Sequence, residues 1–174
     1  NIPVDDNVVL ITVHRRENHG ERLDRILDAI ETLVKKYSNH HFVLPVHPNP
    51  NVKDKVHCRL EKYSNVYLLK PLDYPYLVYL MKHAKLILTD SGGIQEEAPS
   101  FGCPTLVMRY ETERQEGINA GVSVLVGAEY DKIVSLSSEI LDKTRQDSRL
   151  QAANPYGKGD SAKIIEGLIR EYFA

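Results

Sequence analysis

The chain alternates short apolar runs with longer stretches in which apolar residues recur every three or four positions. Continuous runs at 8–13 (VVLITV), 42–46, 65–69 (NVYLL), 86–89 (LILT), 105–108 (TLVM) and 122–127 (VSVLVG) predict six strands. After the first of them, Leu23, Ile26, Leu27, Ile30, Leu33 and Val34 share one face of a helix. Further helices are expected over about 52–63, 76–83, 93–101, 130–143 and 161–172. Strands that are apolar on both faces and alternate with helices indicate a parallel sheet covered on both sides. The expected fold class is α/β, a doubly wound and mostly parallel Rossmann-like sheet, with residues 1–174 forming one domain. Ligands of such sheets sit beyond the carboxyl ends of the strands. That directs attention to the loops at 14–20, 46–51, 70–77, 90–97 and 109–117, which are also the most polar segments.

Composition narrows the partners. At 174 residues, with 42% hydrophobic and 26% charged positions, the chain has the makeup of a globular domain. A net charge of -2 and a pI near 6.4 point to neither a nucleic acid nor an anionic membrane as partner. No apolar run approaches the length of a membrane span, and the first residues lack the basic and hydrophobic regions of a signal peptide. Cys58 and Cys103 stand 45 positions apart in no metal-ligand spacing, which suits a reducing compartment, so a soluble cytoplasmic protein is expected. Because the chain opens on Asn1 just before its first strand, it reads as a piece of a larger polypeptide.

The most informative stretch is LILTDSGGIQEE at 86–97. Here a strand runs into Ser91-Gly92-Gly93, and two carboxylates follow about one turn later. Glycines allow close backbone approach, and the first N–H groups of the next helix lack partners inside it, which together suit a phosphate or carboxylate. Ser91 can cap that helix or donate to a phosphate oxygen. A carboxylate one turn on would repel a phosphate in contact but could accept from the hydroxyls of a linked ribose. Spacing alone does not choose between Glu96 and Glu97 for that task. The plainer alternative is a capped helix with solvated glutamates. Neither a G-x-G-x-x-G fingerprint nor a Walker-type Gly-Lys-Ser/Thr occurs in the chain.

Other loops carry compatible groups. His14-Arg15-Arg16-Glu17 follows the first strand, with two arginines suited to a diphosphate and His14 closest to the sheet, placed to bind a phosphate or act as an acid. His47 leaves the second strand inside a stiff Pro-Asn-Pro turn. Arg114, in the charge-dense loop 109–117, is a candidate phosphate clamp. The plain readings are a basic turn in which Glu17 pairs with an arginine, a histidine held in a rigid turn, and a solvated charged face. No metal site is expected, since His14 and His47 lack a matching carboxylate or cysteine pattern.

T-V-H-R-R-E-N at 12–18, P-V-H-P-N-P-N-V at 45–52, L-T-D-S-G-G-I-Q-E-E-A-P-S at 88–100, T-E-R-Q-E-G at 112–117 and N-P-Y-G-K-G-D-S-A at 154–162 occur in the order seen in one family. The chain resembles the second half of the non-hydrolysing UDP-N-acetylglucosamine 2-epimerases, enzymes built from two Rossmann domains like GT-B glycosyltransferases. The resemblance implies a UDP-sugar substrate, no cofactor, and a homodimer for the full-length enzyme. It matches His14 to a catalytic-site histidine reaching the sugar nucleotide, and Ser91, Gly92 and Gly93 to the diphosphate-binding turn. It matches Glu97 to the ribose carboxylate and Arg114 to a further contact in the UDP region. Leu77 stands where an aromatic near the uracil is common, with Tyr76 beside it as a substitute. Arg15, Glu17 and His47 match a regulatory UDP-N-acetylglucosamine site of bacterial members. Tyr110-Glu111 replaces a more usual Asp-Thr, and Gln115 a proline. The implied chemistry is inversion at C2 through elimination and re-addition of UDP. The proton-transferring carboxylates lie in a missing N-terminal half, so the isolated domain is expected to be inactive. The alternatives are the donor-binding half of a glycosyltransferase and a non-catalytic nucleotide-sugar module.

Overall fold

The computed structural model describes residues 7–151 and 154–173. Six strands form one parallel sheet: β1 (Val8–Thr12), β2 (His41–Pro45), β3 (Val66–Leu69), β4 (Ala84–Thr89), β5 (Thr105–Val107) and β6 (Ser123–Leu125). Their order is β3-β2-β1-β4-β5-β6, the doubly wound arrangement. The helices are α1 (Glu21–Lys36), α2 (Pro50–Leu60), α3 (Tyr74–His83), α4 (Gly92–Glu97), α5 (Gln115–Asn119), α6 (Tyr130–Leu141), α7 (Arg145–Ser148) and α8 (Ser161–Tyr172).

The continuous apolar runs are explained by double-sided burial. Every residue of β1 and β4 is buried. Successive side chains of a strand point to opposite faces, so Val9 and Ile11 join the core beneath α1, whereas Val8 and Leu10 pack with Leu80, Met81 and Ile94 on the other side. The six periodic positions of α1 are all buried as the spacing predicts. At the sheet margins burial fades: β3 is half-buried throughout, and Val124 of β6 is exposed.

Departures from the expected elements have local causes. β4 begins two residues before the apolar run, at Ala84-Lys85, because the buried Lys85 ammonium donates to the Leu141 carbonyl at 2.8 Å. The helix expected over 93–101 splits into α4 and a 3-10 helix, Ala98–Phe101, where Pro99 cannot continue the α-helical ladder. The short α5 and α7 lie outside the expected elements. Among the described residues, no helix is long and apolar enough to cross a membrane.

Candidate functional site

Strand order reverses between β1 and β4, which opens a crevice at their carboxyl ends. Thr12 and Thr89 face each other in register there, and their buried hydroxyls bond at 2.6 Å. Thr89 Oγ1 also accepts from the Ser91 N–H at 2.9 Å, which fixes the direction in which the chain leaves β4.

Asp90 locks the neighbouring β1 loop to this turn. Its fully buried carboxylate accepts from the backbone N–H groups of His14, at 3.0 Å, and Arg15, at 2.9 Å, and from Asn18 Nδ2 at 3.0 Å. His14 Nδ1 completes the set at 3.0 Å. Asn18 also donates to the Met108 carbonyl, which ties in the end of β5. Burial opposes ionisation of Asp90, but the His14 imidazole and the N–H donors outweigh it and hold the carboxyl below the usual carboxylate range. With Nδ1 on this carboxylate, His14 has Nε2 left for a ligand.

His14, His47, Leu72, Leu77, Ser91 and Ile94 line a crevice of about 200 Å³. Of the two candidates near a base, Leu77 lines the crevice and Tyr76 is exposed to solvent. The His14 and His47 rings stack with centroids 5.9 Å apart. Ser91 does not cap α4, so its hydroxyl is available to a ligand.

The remaining groups converge on the two glycines. A side chain at Gly93 would stand 3.8 Å from Glu97 Oε1 and 4.0 Å from the Ser91 hydroxyl. One at Gly92 would stand 3.2 Å from Arg114 Cζ. The Arg114 guanidinium therefore lies directly over the turn. Its Nε bonds Glu96 Oε1 at 2.7 Å and its Nη1 meets Glu113 at 3.4 Å, leaving Nη2 beside Gly92. The two neighbouring glutamates are thus divided: Glu96 steers Arg114, whereas Glu97 bends back beside Gly93 and accepts from the Tyr74 hydroxyl at 3.0 Å. With six residues, α4 has a modest dipole, so an anion at this turn would be held mainly by the first N–H groups of the helix and the Arg114 cation.

The other three predicted residues are spread around this centre. Glu17 accepts from Arg109 Nε at 2.6 Å, so its arginine partner comes from the loop after β5 and not from its own basic turn. Arg109 also binds Glu113, which holds that carboxyl down at about 2. Arg15 bonds Asp90 through its backbone, and its Nε is enclosed without a partner. His47 remains against His14, with Nδ1 accepting from the Asn49 N–H at 3.2 Å.

Sequence reasoning assigned no role to Asp90, Asn18, Thr112 or Tyr156. Thr112 bridges Gln95 Oε1, at 2.7 Å, and the Arg114 N–H, at 3.1 Å. A carboxylate directly after a buried strand was the one available signal for Asp90.

A parallel sheet in this order, with a Ser-Gly-Gly turn at its switch point, defines a Rossmann-type domain, a class whose ligands sit in that crevice. The family model for UDP-N-acetylglucosamine 2-epimerase matches residues 2–170. The curated UDP-N-acetylglucosamine 2-epimerase of Neisseria meningitidis serogroup A is 46% identical over 171 residues, covering 96% of this chain and 46% of that protein. The crystal structure of UDP-GlcNAc 2-epimerase from Neisseria meningitidis bound to UDP-GlcNAc superposes with a TM-score of 0.86 at 44% identity, over 95% of this chain and 45% of that one. A Staphylococcus aureus protein in complex with UDP gives a TM-score of 0.90 at 38% identity, over 97% of this chain and 47% of that one. The chain belongs to the UDP-N-acetylglucosamine 2-epimerase family, and it spans about half the length of the curated relatives it matches. An Escherichia coli heptosyltransferase with ADP, 14% identical at a TM-score of 0.56 over 80% of this chain and 44% of that one, shares the fold alone.

Proposed function

We infer that this chain is the UDP-binding C-terminal half of a UDP-N-acetylglucosamine 2-epimerase, holding the UDP of UDP-N-acetylglucosamine at the β1/β4 crevice. The observation that carries this reading is the convergence of Ser91, Gly92, Gly93, Glu97 and Arg114 on one turn, with a guanidinium edge left beside Gly92. In it, the Gly92 and Gly93 N–H groups, the Ser91 hydroxyl and Arg114 hold the diphosphate, and Glu97 accepts from the ribose hydroxyls. Leu72, Leu77 and Ile94 form an apolar wall for the base. His14, oriented by Asp90, presents Nε2 to the phosphates.

The reaction is interconversion of UDP-N-acetylglucosamine and its 2-epimer, with UDP leaving and re-adding. This half stabilises the negative charge that develops on departing UDP. Its carboxylates are poorly placed to take the C2 proton. Asp90 is saturated with donors, Glu96 is bound to Arg114, Glu17 to Arg109, and Glu97 to Tyr74. Proton transfer therefore falls to the other half of the longer protein, and this chain alone binds without turnover.

Calorimetric titration tests the binding step: UDP binds, UMP binds more weakly and uridine hardly at all. Arg114→Ala abolishes the preference for the diphosphate. Equal affinity for the three ligands would refute the assignment of the turn. An epimerisation assay of this chain beside the two-domain protein tests the second step, and turnover by the chain alone would refute it.

A further inference from the structure

We propose that Tyr156 is a positioning residue that sets the Arg114 clamp, acting through the backbone of the Arg114 loop. The inference rests on the UDP-binding reading of that loop. Tyr156 lies in the segment before α8, outside the crevice lined by His14 and Leu77, and shares a neighbouring cavity with Tyr74, Glu96 and Glu97. Its hydroxyl donates to the Arg114 carbonyl at 3.0 Å and accepts from the Gly117 N–H at 2.9 Å. One phenol thus spans the first turn of α5, whose N-terminal flank is Arg114 itself with φ -98° and ψ 56°, outside the helical region. The Arg114 side chain does not cap that end, so the phenol supplies the restraint that a cap would otherwise give.

Two further features fit this role. A Cβ at Gly117 would stand 2.6 Å from the Tyr156 hydroxyl, so the phenol reaches its two partners only because position 117 has no side chain. The segment carrying Tyr156 is itself pinned to α4. Asn154 Oδ1 accepts from the Tyr156 N–H at 2.9 Å, while Asn154 Nδ2 donates to the Glu96 carbonyl at 3.2 Å and to the Ser100 hydroxyl at 2.7 Å. Glu96 is the residue whose carboxylate holds Arg114 Nε. The guanidinium is therefore fixed from its carboxylate partner on one side and from its own main chain on the other. Burial raises the Tyr156 hydroxyl above its ordinary value, and the phenol stays a donor across the physiological range.

The test compares wild type, Tyr156→Phe, Gly117→Ala, Arg114→Ala and the pairwise combinations. Each is titrated with UDP by calorimetry and with uridine by ligand-detected NMR, with thermal melts recorded alongside. Tyr156→Phe weakens UDP about three- to tenfold, the factor carried by one neutral hydrogen bond, and leaves uridine unchanged. Gly117→Ala, which keeps the tyrosine but displaces its hydroxyl, gives the same pattern and adds nothing to Tyr156→Phe. In the Arg114→Ala background neither change alters UDP affinity further. Wild-type affinity in both single variants overturns the proposal, as does an equal loss for UDP and uridine or a loss that persists without Arg114. If Arg114→Ala itself leaves UDP affinity intact, the UDP-binding reading fails first, and the role of Tyr156 fails with it.

Discussion

Asp90→Asn is the most discriminating perturbation of the scaffold beneath the site. The carboxylate accepts four donors, two from backbone and one each from Asn18 and His14, and it is fully buried. An asparagine placed with its oxygen toward Arg15 and Asn18 keeps neutral versions of those bonds but turns an NH2 group toward His14 Nδ1. Hydrogen bonds to a charged group contribute about 1.5–3 kcal/mol against about 1 for neutral ones. Weakening three bonds and forcing the imidazole to give up its Nδ1 proton at the fourth should cost about 3–5 kcal/mol, a large share of a typical domain stability of about 5–15 kcal/mol. The pH dependence has a definite sign. The folded-state pKa of Asp90 is lowered, so its stabilisation is complete above the unfolded carboxylate value of about 3.9 and is lost as pH falls through the lower folded value. Urea denaturation of both proteins between pH 7 and pH 3 should show a gap that is widest at neutral pH and narrows only in the acid range. A gap below about 1 kcal/mol at pH 7 would refute the argument, as would one unchanged down to pH 3.

Three other outcomes follow from the same geometry. Gly92→Ala places a Cβ 3.2 Å from Arg114 Cζ, so UDP affinity should fall about tenfold in calorimetry while the melting temperature holds. Leu77→Ala removes part of the apolar crevice wall, and should weaken UDP, UMP and uridine by a common factor, in contrast to Arg114→Ala. The thiols should separate cleanly: Cys58 is exposed, whereas burial pushes Cys103 up to about 12 and keeps it a protonated thiol. A colourimetric thiol assay at pH 8 should therefore count one fast group in the native protein and two after denaturation.

The sheet was legible because parallel strands buried on both faces must be apolar without interruption. Such runs at 8–13 and 86–89 leave little choice of element. Where that logic weakens, so did the reading. Lys85 hides the start of β4 because a lysine is read as exposed until a carbonyl such as that of Leu141 is shown to receive it. The five residues of α5 are too few to display a helical period.

The site divides along a different line, the sequence distance over which each interaction acts. Ser91, Gly92 and Gly93 are readable because a strand, a small-residue turn and a helix start are neighbours in the chain. Glu96 and Glu97 are not separable by spacing, since adjacent helical positions both lie about one turn from the glycines. The bonds from Arg114, 18 positions from Glu96, and from Tyr74, 23 positions from Glu97, distinguish them. Asp90 and Tyr156 are further along the same scale. Asp90 meets its partners across 72 to 76 positions and Tyr156 across 39 to 42. Asp90 fixes the main chain at His14 and Arg15 and orients the His14 ring, and Tyr156 fixes the main chain at Arg114. Residue type announces groups that meet a ligand, because few side chains can bind a phosphate. It does not announce groups that hold a backbone, because any donor or acceptor can do so and its address is set by the fold. The supporting layer of this site therefore becomes visible only once β1, β4 and the Arg114 loop are brought together.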